Sequence, residues 1–252
     1  MRFIGPAPIA GKVSTSQIDD DAITLAKMAS GTDGQILSYD ASGNPTAYGP
    51  GTDGQVLTST GAGSPPAFEA ASGGAWTLIG SQAADNSADN LTQTGLSSTY
   101  STFAIVCSSI HPATDDEYIY LRLGDSSGID SGASDYSWGT RLSYHWPTAT
   151  QVDLGSGGDS KIGTVGMTSS TDRVGNATGE GWSIHAFLDA YGELYPNIYG
   201  HVTYRTAQPV TRHGYFSGMR LSGITVDRIQ ITTAGGGNIA SGRMSVFGVK
   251  HT

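Results

Sequence analysis

Two aromatic segments hold most of the side chains able to recognise a ligand. Residues 134–146 read SDYSWGTRLSYHW and residues 191–199 read YGELYPNIY, setting Tyr136, Trp138, Tyr144, Trp146, Tyr191, Tyr195 and Tyr199 among Gly, Asp, Asn and Pro. That mixture suits sugars, whose C–H faces stack on aromatic rings while Asp, Asn and Arg take the hydroxyls. Tyr136, Trp138, Tyr191 and Tyr195 are flanked by turn residues and are the expected sugar-binding set. Trp138, between Ser137 and Gly139, has little apolar sequence nearby to bury it. It is expected to be exposed and central to that surface, because aromatic anchors dominate binding surfaces.

The other reactive side chains form weaker patterns. Asp115, Asp116 and Glu117 are consecutive, and Asp125, Asp130 and Asp135 follow. Paired carboxylates serve glycoside hydrolysis or calcium. The stretch DSSGIDSGASD places Ser127 and Ile129 where an EF-hand needs acids, so surface charge and turn formation are the expected roles. His111, His145, His185, His201, His213 and His251 form no H-x-x-H or H-E-x-x-H set, and the single cysteine excludes Cys-based zinc sites. His185 and His201 fall in adjacent predicted strands and are placed to meet. There is no G-x-S-x-G elbow, and the glycine clusters at 155–158 and 235–237 read as turns rather than phosphate cradles. No catalytic residue, metal site or cofactor is therefore expected.

The elements that must position these residues are β-strands. Glycine numbers 36 of 252 residues, and charged residues are only 14%, well below the usual quarter. Short β-prone runs alternate with polar turns from Trp76 onward: Trp76–Gly80, Thr102–Ser108, Glu117–Leu123, Ser137–Tyr144, Gly181–Phe187, Ile198–Arg205, Gly214–Leu221, Val226–Thr232 and Arg243–Val249. In the third, Ile119, Leu121 and Leu123 mark a buried face, and Tyr118, Tyr120 and Arg122 an amphipathic one. That spacing predicts a β-sandwich. Cys107 shares a strand face with Phe103 and Ile105 and is expected to be a buried hydrophobe.

A net charge of −9 argues against a nucleic-acid surface and against anionic membranes as partners. No apolar run is long enough to insert in a membrane. The first residues, MRFIGPAPIAGK, are too short in apolar sequence and too Pro-rich for a signal peptide. Pro6 and Pro8 between Phe3, Ile4 and Ile9 predict an extended arm that docks on something, and these three apolar residues are the candidate anchors. Within DDDAITLAKMA, Asp19 or Asp20 is positioned to cap a short helix.

The first third contains a tandem repeat of twenty residues. GTDGQILSYDASGNPTAYGP at 31–50 is followed by GTDGQVLTSTGAGSPPAFEA at 51–70. Each copy offers one small apolar patch, a Gly/Pro turn and one aromatic, which cannot close a core alone. Such units are buried by neighbouring units or by other chains, and with two copies other chains are the expected source.

This repeat resembles those in the shafts of bacteriophage tail fibres and related virion adhesins, in which three chains wind round one axis. The segment DDDAITLAKMA is similar to segments near the head of phage fibres. The ending Ile229-Gln-Ile231, then Gly237-Asn238, then Ser241-Gly-Arg-Met-Ser-Val-Phe-Gly-Val-Lys250 resembles the terminal strand pair of their jelly-roll domains. There Gly242 would permit a bulge or close approach, and Gly248 would end the core strand. The resemblance implies an all-β chain: a C-terminal β-sandwich, jelly-roll-like, preceded by an extended, repeat-containing trimeric shaft. Residues 1–30 would be an anchoring arm with a short helix, 31–75 the shaft and hinge, and 76–252 the receptor-binding domain. It implies a non-enzymatic homotrimer in the virion, inserted in a baseplate, tail or head socket and binding a host-surface polysaccharide. The alternatives are a polysaccharide-cleaving virion enzyme using Asp115–Glu117 and a purely structural head fibre or decoration protein.

Overall fold

The computed structural model describes residues 13–20, 22–23, 29–71, 74–145, 149–165, 173–190, 195–208 and 210–250. Phe3, Ile4 and Ile9 lie outside them, as does most of the expected helix at 19–29. The described part of the first segment holds one 3-10 turn, Thr15–Gln17, where the Ser14 N–H donates to Gln17 Oε1 at 2.9 Å. Among the described residues no helix is long and apolar enough to cross a membrane. The chain divides into two units between Ser72 and Gly73.

The first unit is built from two antiparallel hairpins, one per repeat. β1 (Ile36–Tyr39) pairs with β2 (Pro45–Tyr48), and β3 (Gln55–Thr58) with β4 (Ala67–Ala70). The repeated T-D-G-Q is a self-contained turn. In the first copy the Gln35 N–H donates to Thr32 O at 3.1 Å, while the Thr32 N–H donates to Gln35 Oε1 at 2.8 Å. In the second copy Gln55 and Thr52 make the same two bonds, at 3.1 and 2.7 Å. Gly34 and Gly54, at φ of 77° and 83°, occupy the left-handed region that favours glycine. The motif thus repeats because one backbone conformation repeats. What the hairpins lack is a core. Ile36, Leu37, Tyr39, Val56 and Leu57 are all between 37% and 65% exposed.

The second unit holds thirteen strands: β5 (Trp76–Ala83), β6 (Asn90–Thr94), β7 (Thr102–Pro112), β8 (Ile119–Asp125), β9 (Gly128–Ile129), β10 (Tyr136–His145), β11 (Ala149–Asp159), β12 (Ile162–Gly163), β13 (Gly181–Asp189), β14 (Asn197–Arg205), β15 (Thr211–Arg220), β16 (Arg228–Thr233) and β17 (Ile239–Val249). Eight form a large antiparallel sheet in the order β11-β10-β15-β14-β13-β7-β17-β5. Five form a smaller sheet, β12-β8-β16-β6, with β9 paired to β8. The chain crosses repeatedly between them: β5, β7, β13 and β17 lie in the large sheet, β6, β8, β12 and β16 in the small one. The result is a β-sandwich, as the alternating runs predict.

Its core lies between the sheets. Phe103, Ile105 and Cys107 from β7 meet Ile119, Leu121 and Leu123 from β8, with Trp182, Ile184 and Leu188 from β13 and Ile229 and Ile231 from β16. Each such burial contributes about 1.5–3 kcal/mol. Cys107 is buried as expected, and burial pushes its thiol pKa up. The amphipathic face of β8 is covered differently: Arg122 and Lys161 lie over the Tyr120 ring, 5.0 and 5.6 Å from its centre. Gly242 sits at a register shift in β17 with φ of 113°, where a Cβ would come 2.5 Å from Ser109 O. Gly248 does not end its strand; β17 runs on to Val249, and Gly248 makes room for the Tyr100 ring.

Two strands, the short β6 and the long β11, escape the sequence patterns. β6 is NLTQT, polar except for Leu91, and β11 is ATQVDLGSGGD, glycine-rich in its second half. β11 is an edge strand with little buried surface, so no apolar alternation is required of it.

Candidate functional site

Strand alternation decides where the aromatic candidates point. β10 turns Tyr136, Trp138, Thr140 and Leu142 inward. Tyr136 is fully buried; its hydroxyl donates to Leu123 O at 2.9 Å or Asp130 O at 3.0 Å, and accepts from the Leu123 N–H at 2.9 Å. Trp138 is only 8% exposed. Its indole N–H donates to Asp159 Oδ2 at 3.0 Å, and its ring lies over Gly163, where a Cβ would meet it at 2.7 Å. Both are therefore core residues rather than surface anchors. The polar neighbours that suggested exposure are the outward half of the same strand. Tyr195 is exposed at 52%. Tyr191 and Trp146 lie outside the described residues.

The acidic cluster is tied into loop structure. Asp115 Oδ1 accepts the Asn176 N–H at 3.1 Å, and Asp116 lies 3.6 Å from Arg173. Glu117 is buried, pairs its backbone with Val174, and accepts the Gly235 N–H at 3.1 Å. It anchors the 235–237 turn. Asp130 and Asp135 converge on Arg220, at 2.9 and 3.2 Å, and fold the 125–135 loop. Burial pushes the Glu117 carboxyl above its ordinary pKa against the Gly235 N–H and Arg173, with Asp116 adding to the rise. A carboxyl whose folded pKa is raised stabilises the fold most when protonated, and that contribution fades as pH climbs through the folded value. Glu117→Gln keeps an acceptor for Gly235 without the charge. It is expected to melt higher than wild type at pH 7 and to converge with it near pH 4; a lower melting temperature for the variant at pH 7 would refute the account.

The exposed face of the large sheet carries the remaining aromatic chemistry, organised in cross-strand rows. One row runs Gly155, Gly139, Ser217, Tyr199, Phe187, Ala104, Phe247 and Leu78 across all eight strands. The next runs Asp153, Arg141, Tyr215, His201 and His185 across β11, β10, β15, β14 and β13. His185 and His201 are thus direct cross-strand partners, as their strands predicted. Among the described residues, no group of three or more His, Cys, Asp or Glu side chains is arranged to hold a metal.

The two ends of the first row differ. Toward β5 it is filled: Trp76 packs on Phe187 and on Phe247 with ring centres 5.9 Å apart in each case, and Phe187 lies 6.2 Å from Tyr199. Toward β11 it carries only Ser217 and two glycines. Gly139 and Ser217 there floor an open depression of about 630 Å³, bordered by Tyr199, His201, Tyr215 and the Arg141–Asp153 pair. Arg141 holds Asp153 with two bonds, Nε to Oδ1 at 2.6 Å and Nη2 to Oδ2 at 2.9 Å. The Tyr215 and His201 rings are 4.4 Å apart. On the other flank, Gly139, Ser217 and Tyr199 also border a second hollow of about 460 Å³ with Ser137, Asn197 and Met219.

Of the depression's aromatic residues only Tyr199 belongs to the segments singled out by sequence, which also contain Gly139 and Arg141. Tyr215, His201 and Arg141 become neighbours through strand register, and the legible signal was alternation: Ile198 and Val202 inward require Tyr199 and His201 outward. No protein-family model, curated protein or solved structure matches the chain.

Proposed function

We propose that this chain is the subunit of a homotrimeric virion fibre that attaches through its N-terminal segment and binds a host-surface polysaccharide through its β-sandwich. The observation that carries the assembly is the unsatisfied apolar surface of the two repeat hairpins. Leu37, Tyr39 and Leu57 extend into solvent from hairpins that have no interior of their own. An isolated two-stranded hairpin is at best marginally stable in water. Packing the same surface of three chains round an axis supplies the missing burial, and the T-D-G-Q turns present it at the same point of each repeat.

The jelly-roll reading of the sandwich is supported by strand order. β5-β17-β7-β13 and β6-β16-β8-β12 alternate in the pattern of two Greek keys, and β10, β11, β14 and β15 extend the first sheet. The glycan assignment is supported by the aromatic and polar outer face of that extension. Attachment through Phe3, Ile4 and Ile9 to a baseplate, tail or head socket rests on sequence. A binding rather than a hydrolytic role is favoured because Asp115, Asp116 and Glu117 are each occupied in holding loops.

Sedimentation equilibrium tests the assembly. The expected species is a trimer at micromolar concentration, and a stable monomer would end the fibre reading.

A further inference from the structure

We propose that the open end of the outer-face row is a binding trough for an uncharged glycan, with Tyr199 and Tyr215 as its stacking surfaces. This inference rests on the polysaccharide reading above and names the site and the ligand class.

The trough exists because three adjacent strands carry only glycine or serine at the same level. Gly155 in β11, Gly139 in β10 and Ser217 in β15 are register partners. Neighbouring strands are about 4.8 Å apart, so the depression, lined by Asp153 and Leu154 of β11, Gly139 of β10 and Ser217 of β15, spans three strands and roughly 10 Å, the length of a disaccharide. Glycine in a strand weakens it and marks a close approach of ligand or backbone. For Gly155 the protein itself supplies that approach, since a Cβ there would come 2.9 Å from Trp138 O. For Gly139 it does not. A Cβ at 139 would meet only Leu154 O at 3.8 Å, and its φ is not among the positive ones. Packing and backbone geometry both tolerate a side chain at 139, so the glycine serves the open space above it.

The lining selects the ligand. Tyr215 is 62% exposed and Tyr199 46%, so their rings meet solvent at the wall and end of the trough. Aromatic faces of this kind stack on the C–H surface of a pyranose. Arg141 and Asp153 neutralise one another on the rim, and both remain well exposed. Together they offer donors and acceptors to hydroxyls with no net charge. An anionic sugar would have to displace Asp153 from Arg141, and it would approach a chain whose net charge is −9. His201 and Asn197 add further polar contacts on the flanks.

The test is affinity electrophoresis of the full-length protein through gels containing dextran or galactomannan, with polygalacturonate and hyaluronate as anionic counterparts. Retention is expected in a neutral-glycan gel. Tyr215→Ala should weaken it about tenfold or more, the scale of a hot-spot aromatic. Gly139→Val, which fits a strand and fills the floor, should abolish it with melting temperature and oligomeric state unchanged. If Gly139→Val fails to fold, Tyr215→Ala alone decides, because that side chain is exposed. Retention only by the anionic glycans, or wild-type retention of both variants, overturns the trough while leaving polysaccharide binding intact. Retention by none of the four glycans overturns both.

Discussion

Trp138→Ala should melt about 10 °C or more below wild type, while Tyr215→Ala melts with it. Truncating a buried Trp or Phe to Ala costs about 3–5 kcal/mol, and 1 kcal/mol corresponds to about 2–4 °C in a domain of 150–250 residues. The loss has two sources. A large ring leaves a cavity over Gly163, which without a Cβ cannot fill it. Asp159 loses the indole N–H that it accepts at 3.0 Å and keeps only its contacts with Lys161 and the Ser160 N–H. Trp138→Phe separates these effects: it retains most of the packing and loses the hydrogen bond, so it should fall between the two. A Trp138→Ala protein that melts like wild type would mean that the ring is not packed between the sheets.

The largest functional loss should come from the paired substitution Leu37→Asp and Leu57→Asp. Both side chains are exposed in the single chain, so the hairpins themselves should change by no more than about 0.5 kcal/mol. In a trimer the same positions would bring three carboxylates together at each of two levels, without counterions. Sedimentation should then show monomers. Retention on an immobilised polysaccharide should fall by about 10²–10⁴, the difference between multivalent and single-site attachment, although the trough is untouched. A variant that remains trimeric would place the subunit contacts outside the repeat.

The β-sandwich was legible because its strands obey the two-residue period. Ile119, Leu121 and Leu123 announce β8 without reference to any other part of the chain. The same period was available in Tyr136, Trp138, Thr140 and Leu142, and Ser137–Tyr144 reads as a strand, yet the turn-forming neighbours of Trp138 suggest an exposed ring. A strand with one face in the core and a hollow on the other has small residues for a reason unrelated to turns. The trough itself could not be read from sequence. Gly155, Gly139, Ser217 and Tyr199 are adjacent only through the pairing of four strands, and nothing in a linear sequence fixes that register. The role of Glu117 was likewise hidden, since its partner Gly235 is 118 residues away.

The last strand of the sandwich lies between two of its first. β17 is paired with β5 on one side and β7 on the other, and Ser81 and Ser245, 164 residues apart, join their hydroxyls across it at 2.9 Å. β5 has no other neighbour in its sheet. During synthesis, therefore, the opening strand waits unpaired until residues 239–249 have left the ribosome, and the sheet closes around the newest segment rather than growing outward from the oldest. Such long-range closure slows folding and exposes strand edges while it is pending. A chain that stops before Ile239 leaves β5 without a partner and β7 with an open edge.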